Sequence, residues 1–196
     1  MHLVVGLGNP GEQYENTRHN LGFRVIDRLA ERNRIRVSRP DSRALVGVGE
    51  IRGCPVMLAK PQTFMNLAGD AVQPLMEKHS IPITGLVLAY DELDLPWKTL
   101  RIKPRGSAAG HGGVESVIRR LGTEEFTRVR LGIDPGHPVR DGAEFVLASF
   151  GRQETKELDE VVGLAAEAVE SIIAEGAEKS MTRYNRRAPG AITEEE

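Results

Sequence analysis

Four side chains set far apart in this 196-residue chain form a kit for activating water. Asn9 ends the glycine turn Val5-Gly6-Leu7-Gly8-Asn9-Pro10-Gly11, and His19 follows in Arg18-His19-Asn20. Asn66 closes Phe64-Met65-Asn66, and Asp91 opens Asp91-Glu92-Leu93-Asp94-Leu95-Pro96. A carboxylate bonded to one imidazole nitrogen sets the ring's tautomer and leaves the other nitrogen to take a proton from water, while amides offer donors to a carbonyl. Taken alone, two of these residues have plainer readings: Asn66 as a helix N-cap worth about 1 kcal/mol, and Asn9 as an ordinary turn residue. Placement favours chemistry. His19 stands at a helix entrance just past the first strand, and Asp91 directly follows the apolar run Leu86 to Tyr90. Both should emerge at the carboxyl edge of an open sheet, where α/β folds place their sites.

Other chemistries fit less well. Gly6 to Gly11 satisfies G-x-G-x-x-G, but a dinucleotide site needs a helix directly after the turn and an acid some twenty residues on. Here Pro10-Gly11 reads as a turn, the amphipathic stretch begins near Asn20, and Asp27 and Glu31 fall inside that helix. No histidine pair has the i, i+4 spacing of a zinc helix, and Cys54 has no CxxC partner. Asp91, Glu92 and Asp94 read as turn and surface acids rather than a Mg²⁺ site. No metal or cofactor is expected, and His2, His79 and His137 read as incidental surface residues.

The elements that must carry these residues alternate. Short apolar or alternating runs bounded by Gly or Pro predict strands over Leu3 to Leu7, Ala44 to Ile51, Pro55 to Ala59, Leu86 to Tyr90, Leu100 to Lys103 and Val129 to Ile133. Helical faces follow from Leu21, Val25, Ile26 and Leu29, from Leu67, Ala71, Val72 and Leu75 despite Pro74, and from Val114, Val117, Ile118 and Leu121. A long helix is predicted from about Gln153 to Glu175. The expectation is one α/β domain over residues 1–187, followed by a disordered acidic tail from Ala188 to Glu196. A chain of this length buries roughly 70% of its unfolded surface and holds a core without staples. No apolar run approaches the ~20 residues of a membrane span. The single cysteine and the absence of a secretory signal pattern point to the cytoplasm.

Net charge is only −2, which argues against a general polyanion binder. The distribution is more telling. Arg101 to Arg130 carries seven basic residues against three acidic ones, whereas Asp141 to Glu178 carries ten acids and two bases. Lys103, Arg105, Arg128 and Arg130 flank the glycine-rich run Gly106 to Gly113, and a glycine loop opening a helix presents backbone N–H groups to phosphate or an oxyanion. On charge alone, a solvated face is the plainer reading.

Together these motifs resemble bacterial peptidyl-tRNA hydrolases. The match spans nearly the whole chain: residues 5–11, Tyr14, Thr17 to Gly22, Lys60-Pro61 with Thr63 to Asn66, Asp91 to Pro96, the glycine loop, and Arg128 to Ile133. The resemblance implies a single-domain α/β fold with a mixed central sheet flanked by helices. It implies a metal-independent monomer that cleaves the ester joining a peptide to the 3′ end of tRNA and so recycles tRNA from aborted translation. His19 is then the general base and Asp91 its orienting partner. Asn9 and Asn66 hold the peptide end and polarise its carbonyl, and Tyr14, Asn20 and Met65 line the cleft. Lys103, Arg105, Arg128 and Arg130 bind acceptor-arm phosphates, contacts that position a tRNA without reading its sequence.

One position departs from the family pattern. Where the family has Gly-His-Asn-Gly, this chain reads Gly110-His111-Gly112-Gly113, so an amide expected to hold substrate or water is missing. Either His111 or a backbone N–H of the following helix takes over the contact, or the site is slower without it. Two other classes remain open from the residues themselves: an RNA-binding protein that keeps the fold without catalysis, and an amidase on a similar scaffold.

Overall fold

The computed structural model describes residues 1–185. The expected tail from Ala188 to Glu196, with Arg186-Arg187 before it, lies outside the described residues. A seven-stranded mixed sheet runs in the order β2-β3-β4-β1-β5-β7-β6. Its strands are β1 (His2–Gly6), β2 (Arg39–Asp41), β3 (Ala44–Ile51), β4 (Cys54–Pro61), β5 (Leu86–Pro96), β6 (Leu100–Lys103) and β7 (Thr127–Asp134). β1 pairs in parallel with β4 and β5, and β5 in parallel with β7. The pairs β2–β3, β3–β4 and β6–β7 are antiparallel.

Among the described residues six α-helices cover both faces: α1 (Leu21–Asn33), α2 (Gly69–Lys78), α3 (Gly112–Leu121), α4 (Gly142–Leu147), α5 (Arg152–Glu175) and α6 (Ala177–Tyr184). Because side chains alternate along a strand, β1 serves two cores. Val4 packs with Val25 and Ile26 of α1 and Val169 of α5, whereas Leu3 and Val5 pack with Val72 of α2 and Val117 of α3. Burying each such side chain contributes about 1.5–3 kcal/mol. With both faces covered, Leu3 to Val5 of β1 and Leu86 to Tyr90 of β5 are continuous apolar runs rather than alternating ones.

β2, α4 and α6 stand where no strand or helix was expected, and β5 runs on to Pro96 instead of ending at Tyr90. β1 accompanies β5 only as far as the pair Gly6↔Ala89, so Asp91 projects past the end of β1, and the register with β7 shifts between Glu92 and Pro96. A free edge opens there. The turn bearing His19 packs down onto it because Gly6 and Gly22 lack side chains: a Cβ on Gly6 would overlap the Gly22 carbonyl, and one on Gly22 would overlap the Ala89 carbonyl.

Candidate active site

His19 lies in a short 3₁₀ turn over Arg18–Asn20 that leads directly into α1. Arg18 pins this turn. Its guanidinium donates to Glu154 (2.6 and 3.1 Å) and to the carbonyls of Phe145 (3.2 Å) and Ala148 (3.4 Å), and it stacks 4.0 Å from the Phe145 ring centroid. The residue beside the imidazole is thereby fastened to both α4 and α5.

Asp91 accepts from two histidines. Its Oδ2 lies 2.8 Å from His19 Nδ1, and its Oδ1 lies 3.0 Å from His111 Nε2. His111 is the N-cap of α3, and its Nδ1 accepts from the N–H groups of Gly113 (3.1 Å) and Val114 (3.4 Å). Main-chain N–H groups only donate, so Nδ1 must present its lone pair and the ring proton must sit on Nε2, directed at Asp91. The carboxylate's other oxygen then accepts the hydrogen bond donated by His19 Nδ1–H. His19 Nε2 is left as an acceptor with no partner among the described residues. Tyr90 packs edge-on against His111 at 4.9 Å between centroids, and His19 lies 4.9 Å from the same ring. Burial alone would push the Asp91 carboxyl up, but His111 and then His19 outweigh it and hold the group well below the usual carboxylate range.

These three residues also offer ligand atoms within 4.8 Å of one another, as a metal site would. A metal on His111 Nε2 would require the ring proton to move to Nδ1, which is already accepting from the helix. The hydrogen-bond pattern suits proton transfer better than metal ligation.

Asn9 is held as firmly. Its main-chain N–H donates to Asn20 Oδ1 (2.8 Å), and Asn20 Nδ2 donates to its carbonyl (2.9 Å). The Met65 N–H donates to Asn9 Oδ1 (2.7 Å). That bond fixes which end of the amide is oxygen and leaves Nδ2 free. Asn66 is exposed in a 3₁₀ turn ahead of α2 and makes no capping bond; the N–H of Gly69 at the head of α2 is taken instead by Ser116 Oγ from α3 (2.9 Å).

Asn9, His19, Met65, Asn66, Asp91, His111 and Gly112 all line one cleft of about 630 Å³. An apolar wall of Phe64 (59% exposed), Leu93, Val146 and Leu147 (46%) belongs to the same lining. This wall was not foreseen, although Asp141 followed by Glu144 is the signature of a capped helix start.

Several expectations are corrected. Tyr14 and Asn20 do not line the cleft. Tyr14 supplies its carbonyl to the Thr17 hydroxyl, and Asn20 acts by holding Asn9. His111 has both ring nitrogens engaged and so has none for substrate. Arg128 is 1% exposed and donates to the carbonyls of Phe126, Ser107 and Glu124, so it shapes the glycine loop from beneath and does not face phosphate. Arg130 is buried against Glu92, with bonds of 2.7 and 3.0 Å. Lys103 and Arg105 are exposed, at the start of the loop whose far end, Ala109 to Gly112, forms the cleft rim. At about 3.5 Å per residue, Arg105 lies within roughly 14 Å of Ala109.

Comparison with known proteins identifies the family. A family model described as peptidyl-tRNA hydrolase matches residues 3–191. Peptidyl-tRNA hydrolase of Solibacter usitatus is 66% identical over 195 residues, covering 100% of both chains. The chloroplastic peptidyl-tRNA hydrolase of Arabidopsis thaliana is 45% identical, covering 94% of this chain and 65% of that one. Among solved structures, the crystal structure of peptidyl-tRNA hydrolase from Acinetobacter baumannii superposes with a TM-score of 0.88 at 32% identity, over 97% of each chain.

Proposed function

The chain belongs to the peptidyl-tRNA hydrolase family and hydrolyses peptidyl-tRNA; from that premise we propose that His19 is the general base of the reaction. The observation that carries this reading is the hydrogen-bonded series His111–Asp91–His19, which ends in a bare Nε2 facing the cleft. A water molecule gives its proton to His19 Nε2 as its oxygen forms a bond to the ester carbonyl carbon. The carbonyl electron pair moves onto oxygen. When the tetrahedral intermediate collapses, the bond to the ribose oxygen breaks and that oxygen takes the proton back from His19. Free tRNA and peptide result. An ester is already activated, so a held base and a few donors suffice without a serine or cysteine nucleophile.

Asn9 Nδ2 and Asn66 meet the peptide's carbonyl groups, Met65 floors the cleft, and the apolar wall of Phe64, Leu93, Val146 and Leu147 takes side chains of the peptide. Lys103 and Arg105 meet phosphates of the acceptor arm, reading charge and not sequence. We read the protein as a monomer acting in the cytoplasm, in keeping with its single cysteine. No helix among the described residues is long and apolar enough to cross a membrane.

The test is tRNA release from a mixed peptidyl-tRNA pool, with and without EDTA. His19→Ala should lose about 10²- to 10⁴-fold in kcat while binding tRNA as before. Retention of activity by that variant refutes the base assignment. Loss of wild-type activity in EDTA refutes metal independence.

A further inference from the structure

Attack on the ester turns its carbonyl oxygen into an alkoxide, which is stabilised most by donors fixed in place before the reaction. Asn9 supplies one. The residue is only 7% exposed, its Oδ1 is held by the Met65 N–H, and its Nδ2 has no partner among the described residues while the residue lines the cleft. A second donor is required on the α3 side, where neither ring nitrogen of His111 is available.

We propose that the main-chain N–H of Gly112, the first residue of α3, completes an oxyanion hole with Asn9 Nδ2. First-turn N–H groups point out of a helix's N-terminal end, with the positive end of its dipole. The cleft lies at that end, lined by Ala109, Gly110, His111 and Gly112. His111 Nδ1 satisfies Gly113 and Val114 and leaves the Gly112 N–H without a partner among the described residues. The neighbouring glycines have structural reasons to be glycine: Gly110 has φ +82°, and a Cβ on Gly113 would press on Met65 Sδ. Gly112 has neither. Its φ lies outside the left-handed region, and a Cβ there would meet nothing within 4 Å. The consequence of glycine at 112 is an amide left uncovered towards substrate. The ring of His111, the residue before that amide, lies 4.9 Å from the His19 ring, and Gly112 and His19 line the same cleft. The carbonyl electron pair that moves to oxygen when water attacks is met by Asn9 Nδ2 and Gly112 N–H, and returns when the ribose oxygen leaves.

The inference rests on His19 being the base, and the test separates the two. Gly112→Pro deletes this single N–H at the helix position that proline favours. The preceding His111, at φ −78° and ψ 114°, already has the extended backbone that a following proline demands. Gly112→Ala adds a Cβ and keeps the N–H. The proline variant should fall about 10²- to 10³-fold in kcat below the alanine variant, with KM within threefold and an unchanged Tm. Equal kcat values for the two overturn the proposal. If the proline variant melts early, the ¹⁵N–¹H spectrum of the wild-type protein decides: a phosphonate analogue of the tetrahedral intermediate on a 3′-adenosine should move the Gly112 amide proton strongly downfield, and an unmoved signal overturns the proposal. Activity in His19→Ala would overturn the base assignment. Loss of activity there, together with equal proline and alanine variants, overturns only the oxyanion role.

Discussion

Asp91→Asn preserves shape and volume while changing which ring proton the site can hold. An amide presents one acceptor oxygen and one donor nitrogen, where the carboxylate presented two acceptors. His111 cannot adapt, because its Nδ1 is committed to the N–H groups of Gly113 and Val114 and its Nε2–H needs an acceptor. The new carbonyl oxygen must therefore face His111, and the new NH₂ must face His19 Nδ1. His19 then accepts at Nδ1 and carries its proton on Nε2, where it can no longer take one from water. Turning the amide over would restore the correct tautomer only by setting two buried donors against each other at His111, which costs about 1–3 kcal/mol, or roughly 5- to 150-fold in population. Loss of the carboxylate's stabilisation of the imidazolium multiplies this. Together they give a fall in kcat of about 10²- to 10⁴-fold, the upper end matching a histidine base held in the wrong tautomer. Steady-state hydrolysis of a defined peptidyl-tRNA measures the rate, and ¹⁵N spectra of the ring nitrogens report the tautomer. A variant within about fivefold of wild type, or one whose His19 still carries its proton on Nδ1, refutes the argument.

Three further outcomes follow from charges placed elsewhere. Arg105→Gln should lower the slope of log affinity for tRNA against log salt by about 0.7–0.9, the signature of one lost phosphate contact. Arg128→Gln should leave that slope unchanged and lower stability by about 2–3 kcal/mol, because carbonyls beneath the loop lose their buried donor. Asp41 accepts from His79 (2.9 Å), Lys78 (3.0 Å) and Ser42 (2.9 Å), and the His79 bond foremost holds its carboxyl well below the usual range. A carboxyl depressed in the folded state stabilises the fold above its unfolded pKa of about 3.9, and that contribution fades as pH falls below it. Urea melts should therefore show Asp41→Asn about 1 kcal/mol less stable at pH 5.5, with the gap narrowing at pH 3. A gap that widens at pH 3 refutes the assignment.

The parts of the site legible in the sequence were those set by local order. An apolar run ending in a polar residue places Asn9 and Asp91 at a sheet edge, and a histidine before a helical face places His19 beside them. What stayed hidden depends on partners distant in the chain. Arg128 and Arg130 alternate with Val129 and Leu131 as in a half-exposed strand, but the Ser107 and Glu124 carbonyls take up Arg128 and Glu92 takes up Arg130, so the arginine side is buried too. Nothing local to Asn66 reveals that Ser116, on another helix, serves the N–H that an N-cap would have served. The double use of the His111 ring, with the helix on one nitrogen and Asp91 on the other, becomes visible only once β5 and α3 are brought together.

The place of β1 in the sheet has a consequence for when the enzyme comes into being. The first strand made ends up fourth in the row, and its neighbours on both sides, Cys54–Pro61 and Leu86–Pro96, are synthesised after it. Parallel pairings over such separations form late, since the intervening chain must close before they contribute. Until Leu86–Pro96 has docked, His19 has neither its carboxylate nor the edge on which its turn rests, and His111 arrives later still. During its own translation this chain is itself a peptide esterified to tRNA. If His19 is the base, a half-made copy carries it without the means to use it, and the ester that tethers the copy is safe from its own chemistry.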